Sequence, residues 1–297
     1  MRALPFLLLL ACGSPQPRET VAPPPPPSAS TAPPIASSAS STPAPPPKKT
    51  IELCGVDYPP ETTIVVCIGE PGKPRHVDIA PVRGLTNLRS LDLHYTDASD
   101  LVPLSGLVAL TDLNLHADDV RDFAAIAGLP LAKLQLQGNH DIHDFTPLSK
   151  MVTLTYLSLD WTPLRDAAVL SPLVALTYLD VGHTGLRTLA PLAPLTKLET
   201  LDVSDNDVSD LSPLRGATAL GYLSLIGTKV RDLSPIAALP ALAEIVAFDT
   251  PIADVSVLAK TRSLKKLSVS DLVPRAQLEA LKKTHPGLEI EIVPRKR

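Results

Sequence analysis

The sequence predicts an α/β solenoid, in which short parallel strands stack into one curved, concave sheet and brief 3₁₀ or helical turns cover the convex side. Three observations predict it. A 22-residue unit opens at residue 85 and recurs at 107, 129, 151, 173, 195, 217 and 239, with a ninth, partial unit from 261. Each unit holds an L-x-L core of period two, as in Leu91/Leu93, Leu113/Leu115 and Leu201/Val203, which marks a short strand with one buried face. Each unit then turns back, often through a step such as Thr146-Pro147, Ser212-Pro213 or Ser234-Pro235. One such unit cannot bury its own apolar face, but a stack can.

The chain begins MRALPFLLLLAC. Arg2 is a short basic region, and Ala3 to Ala11 form an apolar stretch too short to span a bilayer, so the segment reads as a secretory signal. Leu9-Leu10-Ala11-Cys12 resembles the lipobox of bacterial lipoproteins. That resemblance implies that residues 1–11 are removed and that Cys12 carries the lipid, anchoring the protein to a membrane of the cell envelope. Gly13 and Ser14 lack the aspartate that often retains such proteins at an inner membrane, which favours the outer membrane.

Residues 12–50 follow as a Pro/Ala/Ser-rich linker that contains Pro23–Pro27 unbroken. Fourteen of the 33 prolines lie in the first 50 residues. Such a segment buries too little apolar surface to offset its ordering entropy. In polyproline II form it would reach on the order of 100 Å.

Residues 51–84 read as an N-terminal cap, with a strand-like Thr63–Cys67 and a Val77–Val82 stretch that matches the second half of a repeat. Three cysteines leave one to be modified or unpaired, and Cys12 fills that role. Cys54 and Cys67 are then a plausible disulfide in an oxidising envelope, closing a loop worth about 3 kcal/mol in the chain-entropy model.

Residues 85–260 hold eight units of the form L-x-x-L-x-x-L-x-L-x-x-T/N-x-V-x-D-L-x-P-L. This pattern resembles the leucine-rich repeat of the 22-residue internalin-like type, and the likeness runs over residues 85–293. Position 12 of the unit is Thr96, Asp118, Asn139, Thr162, Thr184, Asn206, Thr228 and Thr250, small polar groups suited to bonding backbone at an interior turn. Position 16 is Asp in seven units of eight, with Thr188 in the other. These aspartates are expected to cap exposed N–H groups rather than bind calcium. The unit at 129 is one residue short before Leu131 and one longer at Asn139–Ile142, so a bulge is expected near His140. In residues 261–297 a partial unit leads to a cap: a helix over Pro274–Lys283, a turn at Pro286-Gly287, and a final strand through Leu288, Ile290 and Ile292.

The net charge of −4 gives no pull toward nucleic acid. No G-x-S-x-G, H-E-x-x-H, phosphate loop or Cys–His pair is present, so the reading is a non-enzymatic module with no cofactor, no metal and no small-molecule substrate. His94 and His116 share one position in adjacent units, with Asp92 and Asn114 beside them, which alone is too few firm ligands for zinc. In leucine-rich-repeat proteins the open sheet face binds the partner. Aromatic residues, scarce elsewhere, gather there, so the expected patch is Tyr156, Asp160, Trp161, Tyr178, Asp180, His183, Asp202 and Tyr222. The partner would be a protein or a glycan. Cross-strand packing of aromatics is the competing account of the patch. A structural spacer of the envelope is the alternative function, and a regulator of an enzyme a more distant one.

Overall fold

The computed structural model describes residues 50–295; the signal, Cys12 and the linker to residue 49 lie outside the described residues. The chain first makes a small antiparallel hairpin of β1 (Ile51–Leu53) and β2 (Val56–Tyr58). It then enters a single parallel sheet at β3 (Ile64–Val66). The sheet continues through β4 (Ser90–Asp92), β5 (Asp112–Asn114), β6 (Lys133–Gln135), β7 (Tyr156–Ser158) and β8 (Tyr178–Asp180). It is completed by β9 (Thr200–Asp202), β10 (Tyr222–Ser224), β11 (Glu244–Ala247), β12 (Lys266–Ser270) and β13 (Glu289–Val293). The eleven strands lie in chain order, each hydrogen-bonded to its sequence neighbours. This is a leucine-rich-repeat solenoid.

The register explains the repeat. Leu91, Leu113, Leu134, Leu157, Leu179, Leu201, Leu223 and Ile245 stand side by side at the centre of successive strands. All are buried in one continuous apolar core. Each such side chain contributes roughly 1.5–3 kcal/mol on leaving water. The flanking strand residues, one on either side, keep a partly exposed face. The irregular unit at 129 holds this register. Lys133 pairs back to Asp112 and forward to Tyr156, and the added residue is absorbed in a turn at His140-Asp141.

Position 12 is buried in all eight units. Each of Thr162, Thr184, Thr228 and Thr250 donates its hydroxyl to a carbonyl three residues back, within its own coil, and Thr184 also lies 3.2 Å from Asn206 Oδ1 of the next. Asn139 instead donates to the Leu136 carbonyl of its own coil (2.8 Å) and the Leu115 carbonyl of the coil before (2.7 Å). Asn206 does the same toward Val203 and Val181. The asparagines therefore tie neighbouring coils together.

The return side carries short 3₁₀ turns such as Val102–Leu104, Thr146–Lys150 and Ser212–Gly216. The Thr-Pro and Ser-Pro steps suggest Ser or Thr as the cap, whereas the position-16 column points to Asp, and it is Asp that the structure bears out. The residues just before the turns are Phe145 and Leu211, with no side-chain cap bond. The acceptor is the position-16 aspartate, two residues before the N–H it takes. Asp100, Asp122, Asp144, Asp166, Asp210, Asp232 and Asp254 accept from Val102, Ala124, Thr146, Ala168, Ser212, Ser234 and Ser256 at 2.8–3.0 Å. Thr188 substitutes its hydroxyl in the remaining unit, and Asp78 extends the column one coil earlier. The Ser212 hydroxyl donates back to Asp210, so serine supports the cap rather than making it.

Both ends are closed. Cys54 and Cys67 form a disulfide that ties the hairpin to the end of β3, with a Cα–Cα distance of 5.9 Å. Residues 51–84 do more than cover the core, since β3 is a full member of the sheet. At the other end α1 (Arg275–Thr284) follows Pro274 and buries Leu278 and Leu281. The chain then returns as β13 against β12, where Leu288 is buried but Ile292 is 43% exposed at the sheet edge. No helix among the described residues is long and apolar enough to cross a membrane.

Candidate functional site

The open face of the sheet is a long surface to which every coil contributes equivalent side chains. Its strand positions, with Asp160 just past β7, carry Asp92, Asp112, Asp160, Asp180, Asp202, Glu244, Glu289 and Glu291 against two lysines, Lys133 and Lys266. The face is thus more negative than the chain as a whole, whose net charge is −4.

The middle of this face holds two ring stacks. Tyr156 and Tyr178 occupy the same register position on β7 and β8, and their rings lie 4.0 Å apart at 5°. The Lys133 ammonium, from the same position on β6, sits 4.6 Å from the centre of the Tyr156 ring. Burial raises the Tyr178 phenol, and the bond to Tyr156 and the nearby Asp180 and Asp202 add to the shift. Burial raises Tyr222 as well, with Asp202 next in effect.

The second stack stands just past the strands. Trp161 and His183 lie 4.0 Å apart at 13°, and His140 meets the Trp161 ring edge-on at 6.4 Å. His183 is held from both sides, with Nδ1 3.0 Å from Asp160 and Nε2 3.0 Å from Asp205. Trp161 remains 52% exposed.

Backbone geometry explains how these rings meet. Trp161 and His183 belong to a column one residue before position 12, made of Tyr95, Ala117, Gly138, Trp161, His183, Asp205, Gly227 and Asp249. All eight have positive φ, between 50° and 79°. Their N–H groups still bond to the next coil, as from His183 to the Ser204 carbonyl at 2.9 Å. A left-handed residue other than glycine costs roughly 1–2 kcal/mol. The coil geometry imposes this conformation in every unit, and it sets Trp161 and His183 at adjacent steps of one column.

Two glycines make room for the carboxylates. A Cβ on Gly182 would stand 2.7 Å from Asp160 Oδ1. A Cβ on Gly227 would approach Asp205 Oδ1 to 2.2 Å. Both acids that clasp His183 therefore lie across a glycine of the following coil.

Asp180 and Asp202 are neighbours on β8 and β9. Asp180 accepts from the Gly182 N–H (3.1 Å) and the Ser158 hydroxyl (3.2 Å). Asp202 accepts from the Ser204 N–H (2.8 Å) and from the Ser204 hydroxyl. Burial pushes Asp180 up to about 6, with Asp160 and Asp202 adding repulsion. Asp202 is raised for the same first reason. Neither forms an ion pair with a described residue.

Seven of the eight residues expected from the sequence thus fall on one face in three groups: the tyrosine stack, the Trp161–His183 stack with Asp160, and the Asp180/Asp202 pair. Tyr222 stands apart from the tyrosine stack, with Thr200 between it and Tyr178. Sequence reasoning missed Asp205 and Lys133, and it marked His140 only as the place of a bulge. Asp205 had a visible signal, since it shares a column with two glycines and a second aspartate, the residues that tolerate positive φ. His94 and His116 are neighbours as expected, with ring centroids 6.5 Å apart. His94 Nδ1 lies 2.6 Å from Asp92, and His116 is lowered by burial and by His94. Among the described residues no three His, Cys, Asp or Glu side chains converge to hold a metal.

The fold and its open face define the class: a leucine-rich-repeat solenoid. No protein-family model matches the chain, and no curated protein matches it in sequence. Solved structures do. An internalin (inlF) of Listeria monocytogenes is 23% identical over 80% of this chain and 85% of its own, with a TM-score of 0.54. An internalin C2 (inlC2) of the same organism is 25% identical, covering 73% of this chain and 85% of its own, with a TM-score of 0.53. A leucine-rich-repeat protein of Leptospira interrogans reaches a TM-score of 0.60 at 21% identity, over 71% of this chain and 56% of its own.

Proposed function

We propose that this chain is a lipid-anchored envelope protein whose solenoid binds a protein partner on its open sheet face and catalyses no reaction. The observation that carries the reading is the pair of aromatic stacks in the middle of that face, Tyr156 on Tyr178 and Trp161 on His183. Preassembled rings offer rigid contact area at little entropic cost. A plant peptide hormone receptor of similar fold (TM-score 0.55, 15% identity) is known in complex with its peptide, which supports a peptide or protein as occupant of such a solenoid.

The test is the double substitution Tyr156→Ala/Tyr178→Ala, followed by protein and glycan arrays and a thermal melt. Protein binding should fall at least about tenfold while the melt shifts by only a few degrees. Undiminished protein binding removes the patch, and binding confined to glycans replaces the partner class.

The anchor rests on the likeness of Leu9–Cys12 to a lipobox. Cys12→Ala should abolish labelling by a fatty-acid precursor and release the protein from the membrane fraction. Retention of either in the variant removes the anchor.

A further inference from the structure

On the open face, Tyr178, Thr200 and Tyr222 occupy one register position on three consecutive strands. Thr200 is small where its neighbours are tyrosines. The Tyr178 and Tyr222 positions therefore stand two strand spacings apart, about 9.6 Å, with an opening over Thr200. Tyr178 is drawn away from that opening by its stack on Tyr156. Asp202 lies two residues along the Thr200 strand on the same face, and Asp180 is its neighbour on the next. The opening is thus flanked by aromatic residues and ends in two carboxylates.

Those carboxylates lack a counter-charge. Burial raises both, repulsion adds to it (from Asp160 and Asp202 on Asp180, and from Asp160 on Asp202), and no described cation pairs with either. The nearest lysines of the face are engaged, Lys133 over Tyr156 and Lys266 on Glu244 at 2.8 Å. The face as a whole carries eight acids to two lysines. Its complement is a cationic segment. A neutral or acidic glycan would bring hydroxyls but no positive charge to offset Asp180 and Asp202. A guanidinium brings a planar fork that can bond carboxylates on adjacent strands while its stem and plane lie along phenol rings.

We propose that the opening over Thr200, between Tyr178 and Tyr222 and backed by Asp180 and Asp202, receives an arginine side chain from the partner protein. This rests on the reading that the open face binds protein. It adds the chemistry of the occupant and the place where it is held.

The experiment pans a random peptide display library on the immobilised full-length chain and measures the selected peptides by calorimetry. Selected sequences should be enriched in arginine. Replacing that arginine by citrulline, which keeps the shape and removes the charge, should weaken binding about tenfold or more, and lysine should restore only part of it. Asp180→Asn/Asp202→Asn should weaken the same peptides to a similar degree, whereas Asp100→Asn on the return side should leave them unchanged. Circular dichroism melts establish that each variant is folded. Arginine peptides indifferent to Asp180→Asn/Asp202→Asn overturn the inference. Peptides that need Tyr156 and Tyr178 but show no arginine preference overturn it while leaving protein binding at this face intact. If no peptide is selected and only glycans bind, both this inference and the reading beneath it fail.

Discussion

The aspartates of this solenoid form two populations that share a residue type and little else. On the return side, seven lie at position 16, and each accepts an N–H two residues on. Asp144, Asp210, Asp232 and Asp254 are held below the ordinary carboxylate range by hydrogen bonds to the Thr or Ser two residues ahead. On the open face and in the core, Asp180, Asp202 and Asp118 are raised, with burial as the first cause of each. A carboxylate that finishes a turn in water is satisfied as an anion. One set among rings, or inside the coil stack, is not, and either keeps its proton or waits for a cation.

The largest effect that would sharpen this contrast lies at Asp118. It occupies a position that is Thr or Asn in the other seven units, is fully buried, and sits near 8. Its Oδ1 accepts from the Thr96 N–H at 2.6 Å, while Oδ2 has no partner among the described residues. Asp118→Asn supplies the donor that Asn139 and Asn206 use to tie coils together, and should stabilise the fold by about 1–3 kcal/mol at neutral pH. The sign with pH follows from linkage. The folded-state value is raised above the unfolded one, so the folded state binds the extra proton between them. Stability should therefore fall as pH rises from about 4 to about 8, and denaturant melts of Asp118→Asn should lose that slope. An unchanged slope would show that Asp118 is already ionised without cost.

A smaller effect is expected at Gly182. Alanine there would drive the Asp160 carboxylate from its place beside His183. Affinity for a partner of the open face should drop several-fold, and Trp161 fluorescence should report the disturbed His183 stack while the melting temperature barely moves. An unaltered emission spectrum would mean that Asp160 does not set the ring geometry.

The smallest effect belongs to the return side. Asp210→Ala should lower the melting temperature by about 2 °C or less, because its bonds face water. Its value is depressed in the fold, so what it contributes is present above the unfolded carboxylate value and lost as pH falls through the folded one. A large loss at neutral pH would place Asp210 with the buried group after all.

How far each population could be read in advance follows the same division. The position-16 column was visible because it repeats every 22 residues beside a turn, and its partners are local in sequence. The expected acceptor, Asp, is the one found there, with Ser or Thr supporting it. The site residues Tyr156, Tyr178, Trp161 and His183 were legible as a cluster because period and register place them together. That Trp161 lies flat on His183, that Asp205 closes the other side of the imidazole, and that Lys133 covers Tyr156 were not legible. Those contacts depend on the left-handed column and on rotamers chosen between coils.

What the sequence determined by itself is therefore periodic: the coil length, the leucine spine, the buried Thr/Asn ladder and the faces on which the other residues stand. A stack whose every layer makes the same neighbour contacts needs only the repeat to specify it. What only the tertiary structure decided is where the period is broken. A carboxylate's charge state, a ring's stacking partner and the room beside a glycine are set by the particular residues of adjacent coils, about 22 positions apart in the chain and one strand spacing apart in space.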